Sequence, residues 1–206
     1  MEMKSIPGTK GYADVAPKFI EATTAIDFTK LHQDFLPFIP KVAGRILDLG
    51  AGIGRDAFEF SQRGHSVVAV EPTEEFRIVG KKLYHSPMID WIDDCLPKLS
   101  LLSDQANQFD FILASGVWYH LDDEEQAMAM ERIASLLKIN DIVALSLRHG
   151  PPGAGSHFFP TSGRQTIQDA YCSRLTTLMC IENQPSLMQH KEKVSWTRLV
   201  CQKQER

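Results

Sequence analysis

The chain has 206 residues, a formal net charge of -4 at pH 7, and 43% hydrophobic and 23% charged residues. That balance suits an ordinary globular protein and excludes the disordered and fibrous classes. It also lacks the basic excess with which a nucleic-acid-binding domain neutralises phosphates.

Residues 1–40 carry helical patterning punctuated by prolines. Asp27 is placed to cap a helix whose apolar residues Phe28, Leu31, Phe35 and Ile39 form a one-faced stripe. This segment is expected to be a helical extension, a lid or brace on a main domain spanning 41–206, with Tyr12 closing over a ligand. From Arg45 the pattern becomes strand (45–49), glycine-rich turn, helix (55–63), strand (66–70), helix (73–84) and strand (88–92). A short helix near 97–102 precedes a strand at 109–114, a helix at 123–138 and a strand at 142–147. Short apolar strands alternating with helices predict an α/β protein with a doubly wound parallel sheet. The tail predicts a helix from Gly163 to about Leu175, capped by Ser162, then strands at 176–181 and 196–201. With no helical crossover between them, those two strands must pair antiparallel or lie apart in the sheet.

Cys95, Cys172, Cys180 and Cys201 have no metal-site spacing and are expected to be reduced. The seven histidines include no His-x-x-x-His pair, so no metal is expected. No apolar run approaches the about 18 residues of a membrane span, and Met1 to Gly11 carry no apolar signal segment. The expectation is a cytoplasmic protein partnered by neither membrane nor nucleic acid; the oligomeric state is left open.

The most informative stretch is Ile46-Leu47-Asp48-Leu49-Gly50-Ala51-Gly52-Ile53-Gly54-Arg55, between a predicted strand and a predicted helix. Glycines let the backbone turn sharply and approach a ligand, and the helix that follows presents its unpaired N–H groups. A dinucleotide fingerprint would read G-x-G-x-x-G, but here Arg55 stands where the third glycine should be. The D-x-G-x-G-x-G form instead resembles the first motif of the class I S-adenosylmethionine-dependent methyltransferases of small-molecule type. That resemblance implies a Rossmann-like seven-stranded sheet with an antiparallel terminal hairpin, and S-adenosylmethionine as cofactor.

Under the same resemblance Asp48, Gly50, Ala51, Gly52, Gly54 and Arg55 form the cofactor turn, and Glu71, followed by Pro72, holds the ribose. One of Asp93 and Asp94, with Cys95, meets the adenine, although two adjacent acids here depart from the family's usual spacing. After the fourth strand comes Ser115-Gly116-Val117-Trp118-Tyr119-His120, where the Asn- or Asp-Pro-Pro-aromatic motif of nucleic-acid and protein-glutamine methyltransferases is lacking. Ligands of open α/β sheets bind beyond the carboxyl ends of the strands. Ser115 is therefore expected at the cofactor, Trp118 and Arg148 at the acceptor, and Tyr119, His120 or His149 as a general base if the acceptor arrives protonated. Met128, Met130, Ile133 and Leu137 read as core. The function expected is in-line methyl transfer to a small-molecule acceptor. Its rivals are a catalytically silent adenosyl-binding regulator and, more remotely, a dinucleotide-dependent oxidoreductase.

Overall fold

A computed structural model describes residues 20–152, 158–188 and 191–205. Seven strands form one sheet: β1 (Arg45–Leu49), β2 (Ser66–Val70), β3 (Ile89–Ile92), β4 (Phe109–Ser115), β5 (Leu137–His149), β6 (Leu175–Pro185) and β7 (Ser195–Lys203). Their order is β3-β2-β1-β4-β5-β7-β6. The first five are mutually parallel, and β7 runs antiparallel to both β5 and β6. The expected doubly wound sheet with its terminal hairpin is what the chain forms.

The helices are α1 (Phe28–Leu31), α2 (Arg55–Gln62), α3 (Glu74–Leu83), α4 (Asp123–Leu136) and α5 (Gly163–Cys172). Local chemistry starts them where expected. Asp27 accepts from the Lys30 N–H, Ser162 from the Gln165 N–H, and Asp122 with Glu125 completes a reciprocal capping box that satisfies two N–H groups at once. Asp122 is thus the N-cap of α4. At the end of α4 the chain passes into β5 five residues before the expected strand start at Ile142. Of the four residues read as core, Met130, Ile133 and Leu137 are wholly buried, but Met128 is 49% exposed. Positions two apart on a helix lie on different faces, so Met128 and Met130 could not share one.

Strand alternation divides the core into two layers. Leu47, Val68, Ile112, Leu145 and Leu199 belong with Met130 and Ile133 of α4 and Ala170 of α5. Ile46, Val67, Phe111, Ala144 and Val200 belong with Phe60 of α2 and with Phe28, Phe35 and Ile39. Of the stripe foreseen in residues 28–39, Phe28, Phe35 and Ile39 are therefore buried as a brace while Leu31 is partly exposed: α1 is a single turn, and a 3-10 turn at Leu36–Phe38 carries the chain on towards β1. Tyr12 and the rest of the expected lid before residue 20 lie outside the described residues.

Phe60 is the ring on which this second layer turns, edge-on to Phe28 at 5.4 Å and to Phe111 at 5.9 Å. Phe60→Ala should cost about 3–5 kcal/mol in denaturant unfolding, because a cavity opens between the brace and the sheet. A loss below about 1 kcal/mol, within the range of a surface substitution, would show that the brace is not part of the cooperative core.

Candidate active site

The site grows from the carboxyl end of β1. Gly50 and Ala51 N–H both donate to the Val70 carbonyl, at 2.9 and 3.0 Å, which fastens the turn to the end of β2. Gly52 (φ +57°) and Gly54 (φ +80°) lie in the left-handed region that disfavours side chains. A Cβ on Gly54 would strike the Trp91 ring at 2.6 Å, whereas one on Gly52 would project into open space in the cavity. Gly54 therefore permits close packing behind the turn, and Gly52 leaves backbone bare on the ligand side.

Glu71 closes the turn from the other side. Its Oε2 accepts from Gly52 N–H at 2.9 Å and its Oε1 from Thr73 N–H at 2.8 Å, while the residue is only 6% exposed. Burial pushes its pKa up, against the lowering effect of those hydrogen bonds. Each carboxylate oxygen accepts more than one hydrogen bond, so the group can hold the turn and still receive hydroxyls.

Beneath the turn lies an acidic floor. Asp48 is buried; its Oδ2 has no hydrogen-bond partner among the described residues, and its pKa is raised well above the usual range by burial and then by the neighbouring Asp56. Asp56, on the first turn of α2, pairs with His32 Nε2 at 2.9 Å and with Arg55 at 2.7 Å. Burial would raise the Asp56 pKa, but His32 and Arg55 hold it well below the carboxylate range. Arg55 also donates to the Thr23 carbonyl at 3.1 Å, tying the helical residues 20–24 to the glycine turn. An orphaned buried carboxylate beside a bare glycine fits a ligand that brings both a cation and hydroxyl donors, as the expected adenosyl cofactor does.

These elements open into a cavity of about 610 Å³, within the size range of small-molecule sites. Among the expected cofactor residues, Gly50, Ala51, Gly52, Arg55, Glu71, Pro72, Asp94, Cys95 and Ser115 line it. Asp48 and Gly54 support the turn from behind. Asp93 is not in the wall: its side chain is 63% exposed and pairs with Arg77 at 2.9 Å. Asp94 folds its own loop, accepting from Cys95 N–H at 2.8 Å and Leu101 N–H at 2.7 Å.

The opposite wall comes from the ends of β4, β5 and β7. Tyr119, His120 and Arg148 meet there: Tyr119 lies against His120 at 4.2 Å, and the Arg148 guanidinium sits 5.8 Å from the Tyr119 ring centre and 4.7 Å from that of Phe158. Trp118 does not join them. It is wholly buried in the first core layer, where the 3-10 turn Trp118–His120 directs it inward. His149 is also outside the wall, because residues alternate along β5; its Nε2 lies 2.7 Å from Thr197 Oγ1. Sequence reasoning missed Ser146, Trp196 and Arg198, which line the cavity from β5 and β7. Their signal was alternation: Ser146 pairs with Arg198 and Arg148 with Trp196 across β5 and β7, so all four share one face. Thr23, Ile26 and Leu31 add residues from the N-terminal segment to the cavity lining.

Comparison with known proteins places this geometry. Residues 46–140 match the family model described as a methyltransferase domain. An uncharacterized methyltransferase of Alkaliphilus oremlandii is 31% identical over 98 residues, covering 47% of this chain and 42% of that protein. The chain thus spans less than half the length of the curated relatives it matches. Among solved structures, the Burkholderia thailandensis 1,6-didemethyltoxoflavin-N1-methyltransferase, with bound 1,6-didemethyltoxoflavin and S-adenosylhomocysteine, shares the fold. Its TM-score is 0.64 at 18% identity, over 100% of this chain and 93% of that one. The [4+2]-cyclase SpnF shares it too, with a TM-score of 0.73 at 12% identity over 94% and 93% of the two chains. Together with the glycine turn at the end of β1 and the antiparallel β6–β7 hairpin, these matches show a chain similar over residues 46–140 to the methyltransferase-domain family and built on the class I S-adenosylmethionine-dependent methyltransferase fold.

Proposed function

We propose that the protein binds S-adenosylmethionine in the cradle of Gly50, Gly52 and Glu71 and transfers its methyl group to a small-molecule acceptor held against the β4, β5 and β7 ends. The observation that carries this reading is the acidic floor. Asp48, Asp56 and Glu71 lie under and beside the amino end of α2, where a dinucleotide would have to place its pyrophosphate. Buried carboxylates repel a phosphate and attract a cationic amino acid and sulfonium. When bound, that cofactor supplies an electrophilic methyl group on a positively charged sulfur.

The chain's own contribution is placement. Glu71 receives the ribose hydroxyls, Asp94 and Cys95 border the base, and Asp48 lies behind the turn at the amino-acid end. Ser115 and Ser146, whose Oγ atoms lie 3.3 Å apart, stand between the two halves of the cavity. Orienting two reactants and excluding water supplies much of the acceleration in such a transfer, with effective molarities of about 10⁵ to 10⁸ M in favourable cases. Where the acceptor carries a proton, His120 is the group on the wall able to take it, with Tyr119 beside it; His149 faces away. A second reading, an adenosyl-binding protein without transfer, draws support from the cyclase that shares the fold, since fold does not dictate chemistry.

In titration calorimetry S-adenosylhomocysteine should bind with micromolar-scale affinity, about -8 kcal/mol. Binding of a nicotinamide dinucleotide instead would sink the assignment. Glu71→Ala should weaken S-adenosylhomocysteine by about 1–3 kcal/mol, and an unchanged dissociation constant would remove the ribose role. Since burial raises the Glu71 pKa and the ribose needs the ionised form, affinity should fall as pH drops through that raised value and stay flat above it. The Glu71→Gln variant should lose this dependence. His120→Asn should lower the rate of methyl transfer from labelled S-adenosylmethionine to a panel of small acceptors by about 10²- to 10⁴-fold, with cofactor binding intact. Equal rates in the variant would show that no base is needed there, and cofactor binding without any transfer would favour the silent reading.

A further inference from the structure

Arg198 sits mid-strand on β7, opposite Ser146 of β5, and is only 5% exposed, yet it lines the cavity. Among the described residues no carboxylate comes within ion-pair distance of it. Asp34 and Asp56 act on it only through space, and both oxygens of Asp56 are taken by His32 and Arg55. What surrounds the guanidinium is aromatic: the Trp196 ring centre lies at 5.6 Å and that of Phe35 at 5.7 Å. A cation removed from water without an anion is costly, and aromatic faces recover only part of that cost. Burial accordingly lowers its pKa, in the direction expected of a charge short of compensation.

We infer that the methyl acceptor is a small organic carboxylate whose anionic end pairs with Arg198, its body lying against Trp196 in the wall made by β5 and β7. This rests on the methyl-transfer reading above. Arg148, the cation that the sequence pointed to, is committed elsewhere: its Nη1 donates to the Pro151 carbonyl at 2.7 Å and its plane covers Phe158. Arg55 is bound to Asp56, and Lys191 is partly exposed in the loop between β6 and β7. One planar fork matches a carboxylate in shape and charge. A phosphate ester would need more compensation than one guanidinium gives, the more so with Asp34 and Asp56 nearby. The Ser146 hydroxyl, on the same face, accepts from Gly116 N–H at 2.9 Å and has a proton to donate towards the same anion.

The test uses the full chain saturated with S-adenosylhomocysteine and titrated with benzoate, phenylacetate, cinnamate and hexanoate, each beside its carboxamide, and with phenyl phosphate. The readouts are heat and tryptophan fluorescence. At least one carboxylate should bind about tenfold or more tightly than its amide; Arg198→Gln should abolish that preference and change S-adenosylhomocysteine affinity by less than about twofold. Arg198→Lys, which keeps the charge and loses the fork, should retain part of it and guards against a glutamine variant that does not fold. The proposal is overturned if no carboxylate outbinds its amide, if the preference survives Arg198→Gln, if phenyl phosphate binds more tightly than every carboxylate, or if Arg198→Gln weakens S-adenosylhomocysteine instead, which would give the residue to the cofactor. Carboxylate preference in a chain that binds no S-adenosylhomocysteine would take down the methyl-transfer reading and leave the anion site standing.

Discussion

Glu71 accepts one hydrogen bond from the turn after β1 and one from the segment after β2, and on those two bonds the geometry of the site depends. Glycine makes the turn possible, but a chain of glycines has no preferred shape of its own. The buried carboxylate selects one arrangement by requiring Gly52 and Thr73 N–H to point at it. Arg77 extends the lock, donating to the Glu71 carbonyl at 2.6 Å and to Asp93 at 2.9 Å. The segment after β3, which carries Asp94 and Cys95, is thereby joined to the same knot.

One face of the sheet changes character along its length. At the amino end Phe111, Ala144 and Val200 pack on Phe60 and the brace. Towards the carboxyl end the same face carries Asp48, Ser115, Ser146, Arg148 and Arg198. The brace follows the change, with Phe28 and Phe35 on the apolar part and His32 reaching Asp56. A row of charges beneath one helix and beside one cavity is costly to bury unless pairing and bound ligands compensate it. Here Asp56 is compensated within the protein, while Asp48 Oδ2 has no hydrogen-bond partner and Arg198 no ion-pair partner among the described residues.

Those two groups give the site a polarity which the fold alone would not. The same fold serves a 1,6-didemethyltoxoflavin-N1-methyltransferase and a [4+2]-cyclase, so the fold does not by itself fix the chemistry. In this chain the Glu71 carboxylate and the Trp196 ring with the buried Arg198 guanidinium line one cavity.

Much of this protein was legible in the residue order, because it depends on neighbours in sequence. Apolar runs and capping residues mark the strands and helices from β1 to α5 to within a few residues, apart from the early start of β5. The D-x-G-x-G-x-G turn and the acid after β2 mark one side of the cavity, since a strand end, a turn and a helix start are contiguous. The wall opposite the turn was decided by tertiary structure. Trp118 and His120 are two residues apart, yet a 3-10 turn buries the first in the core and leaves the second on the wall. Arg148 and His149 are adjacent, and strand alternation sends them to opposite faces. Arg198 enters the site only because β7 pairs antiparallel with β5, and which strands pair is fixed by packing between distant segments rather than by any local pattern.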